Sequence, residues 1–363
     1  MIRDRLAALE PPARLVDGSI LVLVLAEVAS GLASLLVGTP DWGWLFVAHA
    51  VGGLSLVVLL AWKLRRVLPR LRRPGAWPDG ARVSVVLATL ALSALATGIL
   101  WQFVGPIRLA GFTLLTLHMV LGLLVVPFLA WHLRRRFRLP DRRDIEGRRT
   151  AIQFAAAVGA AAITWRLQSV VGRVAGEPDR FTGSKAAGGT GTDFPVTSWV
   201  ADDPDPIDSH EWRLAVTGEV ETETTFARDD LVGGPASVPL AADETAVLDC
   251  TSGWYAERDW TGVRLADLLG AVGTTNEARW VSVRSVTGYR WSFRLAEADD
   301  LLLATHVDGE ALTHGHGAPL RLVAPGHRGF QWVKWVESVE VRRHEDLSQW
   351  LAIFVSGFAE AQR

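Results

Sequence analysis

Cysteine is almost absent from this chain of 363 residues, since Cys250 is the only one. A single cysteine excludes an intrachain disulfide framework, and a structural zinc site that used His314 and His316 would lack its cysteine ligands. No nucleophile signature of a Cys/His hydrolase surrounds the residue. The thiol is therefore either an inert core group or a working thiolate. It ends an apolar run and precedes a Thr-Ser-Gly-Trp-Tyr loop, which favours a thiolate that faces a ligand.

Acidic residues are scarce in the first half of the chain. Residues 1–172 hold 20 Lys and Arg against 9 Asp and Glu, whereas residues 173–363 hold 17 against 30. The first half has apolar runs at 15–37, 44–64, 83–104 and 109–133, and a weaker one at 151–171. Each has roughly the 20 residues that a membrane-spanning helix needs. The sequence predicts a multi-pass α-helical membrane bundle, followed by an acidic part whose charge argues against nucleic-acid binding.

Basic clusters predict how the bundle is oriented. Residues 63–73 and 134–149 are rich in arginine. The loops after the first and third apolar runs contain a single basic residue between them, Arg108. By the positive-inside rule, the N-terminus is cytoplasmic and five spans place the second half outside the cytoplasmic membrane. Arg148 and Arg149 resemble a twin-arginine export signal, but positive-inside charge explains them equally well, and both interpretations stay open.

A repeat relates the first two apolar runs to the third and fourth. Residues 45–66 match residues 114–135 at one constant offset, which pairs His49 with His118. The two histidines are therefore predicted at the same depth, near a pseudo-twofold axis along the membrane normal. Each is followed at the fourth position by a glycine that leaves room for a flat ligand. The pair suits the axial ligands of one b-type haem; the alternative is two histidines hydrogen-bonded to neighbouring helices.

Short alternating apolar runs in the second half predict strands. Together they indicate an α+β domain with a mainly mixed sheet. The predicted organisation is a four-helix cytochrome b-like domain (1–140), a fifth transmembrane segment (141–172), a flexible glycine-rich linker (173–193), the α+β domain (194–345) and a C-terminal helix (346–363).

Two segments of the second half resemble a known family. One runs from Cys250 through Trp260-Thr-Gly-Val-Arg-Leu265, and the other is His316-Gly-Ala-Pro-Leu-Arg321 and its continuation to Lys334. Both are similar, in the same order, to the cofactor-binding segments of the sulfite oxidase family of molybdopterin-dependent oxidoreductases. The resemblance covers residues 194–343 and implies a sulfite oxidase-type molybdopterin-binding fold.

The resemblance also implies roles for individual residues. Cys250 would be the molybdenum ligand, because a coordinated thiol is deprotonated. Arg321 and Lys334 would neutralise the pterin phosphate. Tyr255 is implied in catalysis, and it stands where sulfite-oxidising members have an arginine that holds the anion. The full implied set of cofactor-binding residues is Ser285, His316, Arg321, Gly329, Phe330, Gln331 and Lys334.

The predicted function follows from the histidine pair and this resemblance together. Tyr255, and the absence of a C-terminal dimerisation domain, are similar to the family's periplasmic methionine sulfoxide reductases, which use a separate haem-bearing membrane partner. We therefore expect a monomeric membrane-bound oxidoreductase that performs two-electron oxo transfer on a small S-oxide or N-oxide rather than sulfite. It would exchange electrons with membrane quinone through a b-type haem. The alternatives are an anchored enzyme with a separate electron partner and no haem, and a non-catalytic extracytoplasmic interaction module.

Overall fold

A computed structural model describes residues 11–72, 77, 80–109, 111–136, 148–174, 180–198, 202–231 and 242–356. The chain forms two compact units, residues 1–185 and 186–363. Parts of the predicted basic loops (73–76, 137–147), of the predicted linker (175–179) and of the C-terminal segment (357–363) lie outside the described residues.

The first unit contains five helices that are long and apolar enough to cross a membrane, as predicted from the apolar runs. They are α1 (Ala13–Ser34), α2 (Trp44–Leu71), α3 (Ala81–Val104), α4 (Leu114–Arg136) and α5 (Arg148–Val174). Helix α4 begins later than predicted, because a small antiparallel hairpin of β1 (Arg108–Leu109) and β2 (Phe112–Thr113) precedes it. Gly111 closes that hairpin with a φ of 85°, a conformation that favours glycine.

The membrane helices associate as hairpins. Helix α1 packs against α2, α3 packs against α4, and α5 contacts α2. Large apolar side chains remain exposed on these helices, for example Val22, Leu123 and Leu167. Such exposure on helices of this apolarity is typical of a surface that faces lipid.

The second unit is built on two sheets and three short helices. Its elements are β3 (Lys185–Ala186), β4 (Arg213–Gly218), β5 (Thr224–Ala227), α6 (Arg228–Leu231), β6 (Ala242–Asp249), β7 (Trp254–Arg264), α7 (Leu265–Val272), β8 (Trp280–Ser285), β9 (Arg290–Arg294), β10 (Leu302–Val307), β11 (Glu310–Ala311), β12 (Arg321–Val323), β13 (Val336–Arg342) and α8 (Gln349–Val355). Three single-turn 3₁₀ helices lie at Leu295–Asp300, His314–His316 and Gly329–Gln331.

Both sheets contribute to one hydrophobic core. The first has the order β11-β10-β7-β3, with β12 beside β10 and β6 beside β7, and the second has the order β5-β4-β13-β8-β9. Strand β13 runs parallel to β4 and antiparallel to β8, so the second sheet is mixed, as predicted. Trp260 and Leu303 of the first sheet and Leu214 and Val339 of the second are fully buried in the shared core. This core fixes the loops at the ends of β6, β8 and β12, which carry the site.

Candidate active site

Cys250 lies in the tight turn between β6 and β7. Its backbone N–H donates to the carbonyl of Trp254 at 2.8 Å, and Gly253 donates back to the carbonyl of Cys250 at 3.0 Å. Gly253 has a φ of 99°, which a side chain would strain. The cysteine is only 7% exposed, and its Sγ lies 3.1 Å from the hydroxyl oxygen of Ser252. The turn therefore presents one thiol in a fixed, largely buried position.

The segment of Gly329, Phe330 and Gln331 packs against this turn. A Cβ on Gly329 would lie 3.0 Å from Cys250 Cα and 3.1 Å from the carbonyl oxygen of Asp249, so glycine allows the close approach. The Gln331 side chain accepts the backbone N–H of Arg328 at 2.9 Å. The carbonyl of Phe330 accepts the hydroxyl of Tyr289 at 2.6 Å. Gln331 and Phe330 thus hold the segment in shape beside the thiol.

A buried ion pair that the sequence analysis missed fixes the same contact. Arg328 Nη1 lies 2.9 Å from Asp249 Oδ1, and the two side chains are 4% and 1% exposed. A parallel backbone bridge also joins these two residues. Removing one partner of a buried pair is strongly destabilising, because the other charge is left uncompensated. The pair therefore secures the position of Gly329 on the Cys250 turn.

Arg321 is a buried cation within electrostatic reach of Cys250. Its Nη1 donates to the carbonyl of His316 at 3.0 Å, and its guanidinium lies over the rings of Trp260 and Trp332. Burial lowers the pKa of Arg321 to about 10, and the charge of Cys250 opposes that shift. Among the described residues, its Nε has no hydrogen-bond partner. A buried cationic donor of this kind is costly unless an anion satisfies it.

Lys334 is the second cation of the cluster. Its Nζ donates to Ser198 Oγ at 2.5 Å and to the carbonyl of Gly315 at 3.1 Å, and lies 4.1 Å from the centre of the Trp335 ring. Burial lowers the pKa of Lys334 to about 7, and Arg321 adds to this shift, while acidic neighbours and Cys250 oppose it. The structure thus brings Cys250, Arg321 and Lys334 into one cluster.

His316 borders the cluster, but its ring is already hydrogen-bonded. Its Nε2 donates to the carbonyl of Phe194 at 3.0 Å, which leaves Nδ1 to accept from the hydroxyl of Thr313 at 2.7 Å. Burial lowers the pKa of His316, and Arg321 and Lys334 also lower it. The ring is therefore neutral near pH 7. Direct contact between this ring and a cofactor phosphate would require one of the two hydrogen bonds to break.

Ser285 and Tyr255 belong to different sheets, Ser285 to the second and Tyr255 to the first. Ser285, at the end of β8, is buried and accepts hydrogen bonds from the backbone and hydroxyl of Thr287, so it shapes the turn that follows β8. Tyr255 is half-buried in β7, directly opposite Asp249 in the β6–β7 register. Its position beside the Cys250 turn therefore follows from strand pairing.

Asp202 is a further residue of this region that the sequence analysis missed. Burial raises the pKa of its carboxyl, and a hydrogen bond from Thr287 and the charge of Lys334 oppose the shift. Its Oδ1 has no hydrogen-bond partner among the described residues. The surrounding Ala-Asp-Asp-Pro-Asp sequence is typical of a solvated loop, so no local signal distinguished this carboxyl from its exposed neighbours.

The histidine pair of the first unit is also brought together. The rings of His49 on α2 and His118 on α4 are 5.9 Å apart between centres and nearly perpendicular, at 87°. His49 Nδ1 lies 2.9 Å from Ser30 Oγ and 3.1 Å from Glu27 Oε2. His118 Nδ1 donates to the carbonyl of Ala94 at 2.8 Å. Each ring is thus held through Nδ1.

Glycines lie against both rings, but they are not those singled out from the sequence. A Cβ on Gly31 would lie 3.4 Å from His49 Cε1, and a Cβ on Gly98 would lie 2.9 Å from His118 Nδ1. Of the predicted glycines, Gly53 adjoins Glu27, and a Cβ on Gly122 would have nothing within 4 Å. The neighbouring helices α1 and α3 therefore provide the space that the rings occupy.

Comparison with known proteins relates the second unit to a family. Residues 201–350 match the oxidoreductase molybdopterin binding domain. The protein-methionine-sulfoxide reductase catalytic subunit MsrP of Xanthomonas campestris is 31% identical over 156 residues, covering 38% of this chain and 46% of that protein. Mitochondrial sulfite oxidase of Mus musculus is 30% identical over 180 residues, covering 42% and 33%.

A third relative is the putative protein-methionine-sulfoxide reductase subunit YedZ1 of Azospira oryzae, which is 27% identical over 151 residues, covering 41% of this chain and 56% of that protein. The chain spans between a third and just over half of the length of these three relatives. The family match falls on the strands and loops that carry Cys250, Arg321 and Lys334. Residues 201–350 are thus a molybdopterin-binding oxidoreductase domain similar to those of MsrP and sulfite oxidase.

Proposed function

We propose that the chain is a membrane-bound oxidoreductase that reduces a small S-oxide or N-oxide at Cys250 and exchanges electrons with membrane quinone through a b-type haem at His49 and His118. The observation that carries this proposal is the cluster of the buried Cys250 thiol, the buried Arg321 and the partly buried Lys334, in which Arg321 Nε has no hydrogen-bond partner among the described residues. Reduction of an S-oxide takes up two electrons and two protons and releases a thioether and water.

The cluster fits a molybdenum cofactor in charge. Arg321 is a buried cation and Lys334 is a partly buried one, and a thiolate together with a phosphate would neutralise them. The Nε of Arg321 offers a donor to such an anion. Cys250 would ligate the molybdenum, and Arg321 and Lys334 would hold the pterin phosphate. When bound, this cofactor supplies two-electron oxygen-atom transfer.

The protein residues around the thiol have separate tasks. Arg321 and Lys334 place positive charge near Cys250, whose thiolate would be the ligating form. Tyr255 supplies a neutral phenol where sulfite-oxidising relatives place an arginine. A neutral hydrogen-bonding group suits an uncharged S-oxide or N-oxide better than it suits the sulfite anion. This substitution is the reason for preferring an oxide substrate.

The histidine pair fits one iron between two imidazoles. Both Nδ1 atoms are engaged by the protein, as in most metal-ligating histidines. Their ring centres are only 5.9 Å apart, so the two side chains would be able to hold one iron. A haem held there would supply one-electron transfer.

The test is metal analysis with a reduced-minus-oxidised optical spectrum of detergent-purified protein. We expect stoichiometric molybdenum and a b-type α-band in the wild type. Cys250→Ser should lose the molybdenum and keep the α-band, because a serine hydroxyl does not ionise as a thiol does. His118→Ala should lose the α-band and keep the molybdenum.

His132→Ala is the matched control, because His132 also lies on α4 but its counterpart in the repeat is Lys63 and not a second histidine. This variant should retain both signals. Molybdenum without haem in the wild type would support the anchored enzyme with a separate electron partner. Absence of both would support the interaction module and overturn the proposal.

A further inference from the structure

The internal repeat of the first unit is broken at one chemically important position. Ser30-Gly31 of α1 corresponds to Thr97-Gly98 of α3, and the same offset pairs Glu27 with Ala94. On the α3 side, His118 has a backbone carbonyl, that of Ala94, as its Nδ1 acceptor. On the α1 side, the carboxylate of Glu27 lies 3.1 Å from His49 Nδ1. The two histidines therefore differ in the side chain that faces Nδ1, because a carboxyl group lies beside His49 and alanine stands at the equivalent position beside His118.

Glu27 is held in this position by the surrounding helices. Its side chain is 16% exposed within an otherwise apolar part of α1. Gly52 of α2 leaves the space that the carboxylate occupies, because a Cβ there would collide with Glu27 Oε1. An ionisable side chain inside a membrane span is costly and marks a functional position. Its named partner here is His49.

Ser30 completes the arrangement around His49. The Ser30 hydroxyl donates to the backbone carbonyl of Glu27 at 3.2 Å, so its oxygen accepts from His49 Nδ1 at 2.9 Å. Glu27 and Ser30 therefore both orient the ring, but only Glu27 adds a carboxylate. A carboxylate acceptor raises the basicity of a ligating histidine.

We propose that Glu27 is a positioning residue for the haem ligand His49, which it makes a stronger electron donor than His118. The inference rests on the proposed haem at His49 and His118. A stronger donor stabilises the oxidised, more positive iron over the reduced one, so the Glu27–His49 contact lowers the reduction potential of the haem. The backbone carbonyl of Ala94 also accepts a hydrogen bond from His118, but it is uncharged and raises the basicity of that ring less.

The test is a potentiometric titration of the haem α-band in detergent-purified full-length protein. Glu27→Gln keeps the shape of the side chain and removes the carboxylate, so we expect the haem to be retained and its midpoint potential to shift upward. Electron paramagnetic resonance of the oxidised haem should show altered g-values, because the ligand field of one imidazole has changed. Glu27→Asp retains a carboxylate, so its midpoint potential should lie between those of Glu27→Gln and the wild type.

Two control variants separate this role from a merely structural one. Ser30→Ala removes the uncharged Nδ1 partner and should shift the potential much less than Glu27→Gln. Asp17→Asn removes another carboxylate of α1, which pairs with Lys63 at 3.1 Å, and should leave the potential unchanged. A Glu27→Gln protein with bound haem and a wild-type potential would overturn the inference. A wild type without haem would instead overturn the proposed function.

Discussion

At the scale of single residues, the second unit is distinguished by charged side chains that are removed from solvent. Arg321 and the Asp249–Arg328 pair are buried and Lys334 is partly buried, although such groups are expensive to remove from solvent. Asp249–Arg328 is internally neutral, whereas Arg321 and Lys334 both interact electrostatically with Cys250. The first pair therefore stabilises the fold, and the second pair prepares a place for anions.

The structural role of the Asp249–Arg328 pair can be tested by thermal unfolding. Arg328→Gln leaves the Asp249 carboxylate buried and uncompensated, so we expect a loss of about 3–5 kcal/mol. In a unit of this size, that corresponds to a melting temperature lower by roughly 10 °C. Differential scanning calorimetry of the detergent-purified chain measures the change.

Arg343→Gln is the matched control for that experiment. Arg343 also pairs with a carboxylate, that of Glu219 at 2.6 Å, but its side chain is more than half exposed. Exposed ion pairs contribute little to stability, so this variant should have the same melting temperature as the wild type. Equal melting temperatures for Arg328→Gln and the wild type would show that the buried pair does not secure the turn.

At the scale of elements, the site depends on two loops that meet only in the folded chain. The β6–β7 turn carries Cys250, and the 3₁₀ helix Gly329–Gln331 reaches it from a distant part of the sequence. Gly329 allows the contact because a side chain there would press on the Cys250 backbone. The backbone approach of these loops therefore fixes where the thiol lies.

Gly329→Ala tests this contact. The added Cβ would lie 3.0 Å from Cys250 Cα, so the turn must move and we expect the molybdenum content to fall several-fold. Gly270→Ala in α7 is the control, because a Cβ there meets nothing within 4 Å and alanine favours a helix. Metal analysis of both proteins measures the molybdenum content. A wild-type molybdenum content in Gly329→Ala would contradict the proposed role of the close contact.

The helices and the mixed α+β character were predictable, because span length and strand alternation are local signals. The partners of Cys250 within this chain were reached only through resemblance, since contacts across the sheet leave no local pattern. Asp249–Arg328 and Asp202 were missed for that reason. Glu27 did leave a signal, because it is an acid inside an apolar run. The late start of α4 was missed because residues 109–113 are apolar enough to extend the helix.

At the scale of the whole molecule, the chain joins two units of opposite character. The first consists of five apolar helices with a basic surplus, and the second is an acidic molybdopterin-binding domain of an oxidoreductase family. Each unit brings together residues suited to one redox centre. The central claim is that both centres belong to one electron path within a single chain.

The most direct test is anaerobic reoxidation of the haem by substrate. The purified protein is reduced with dithionite, freed of excess reductant and mixed with methionine sulfoxide while the α-band is recorded. We expect the α-band to decay in the wild type, because electrons leave the haem for the S-oxide. In Cys250→Ser the α-band should persist. A haem that stays reduced in the wild type, or that is reoxidised equally in Cys250→Ser, would contradict a single electron path through both centres.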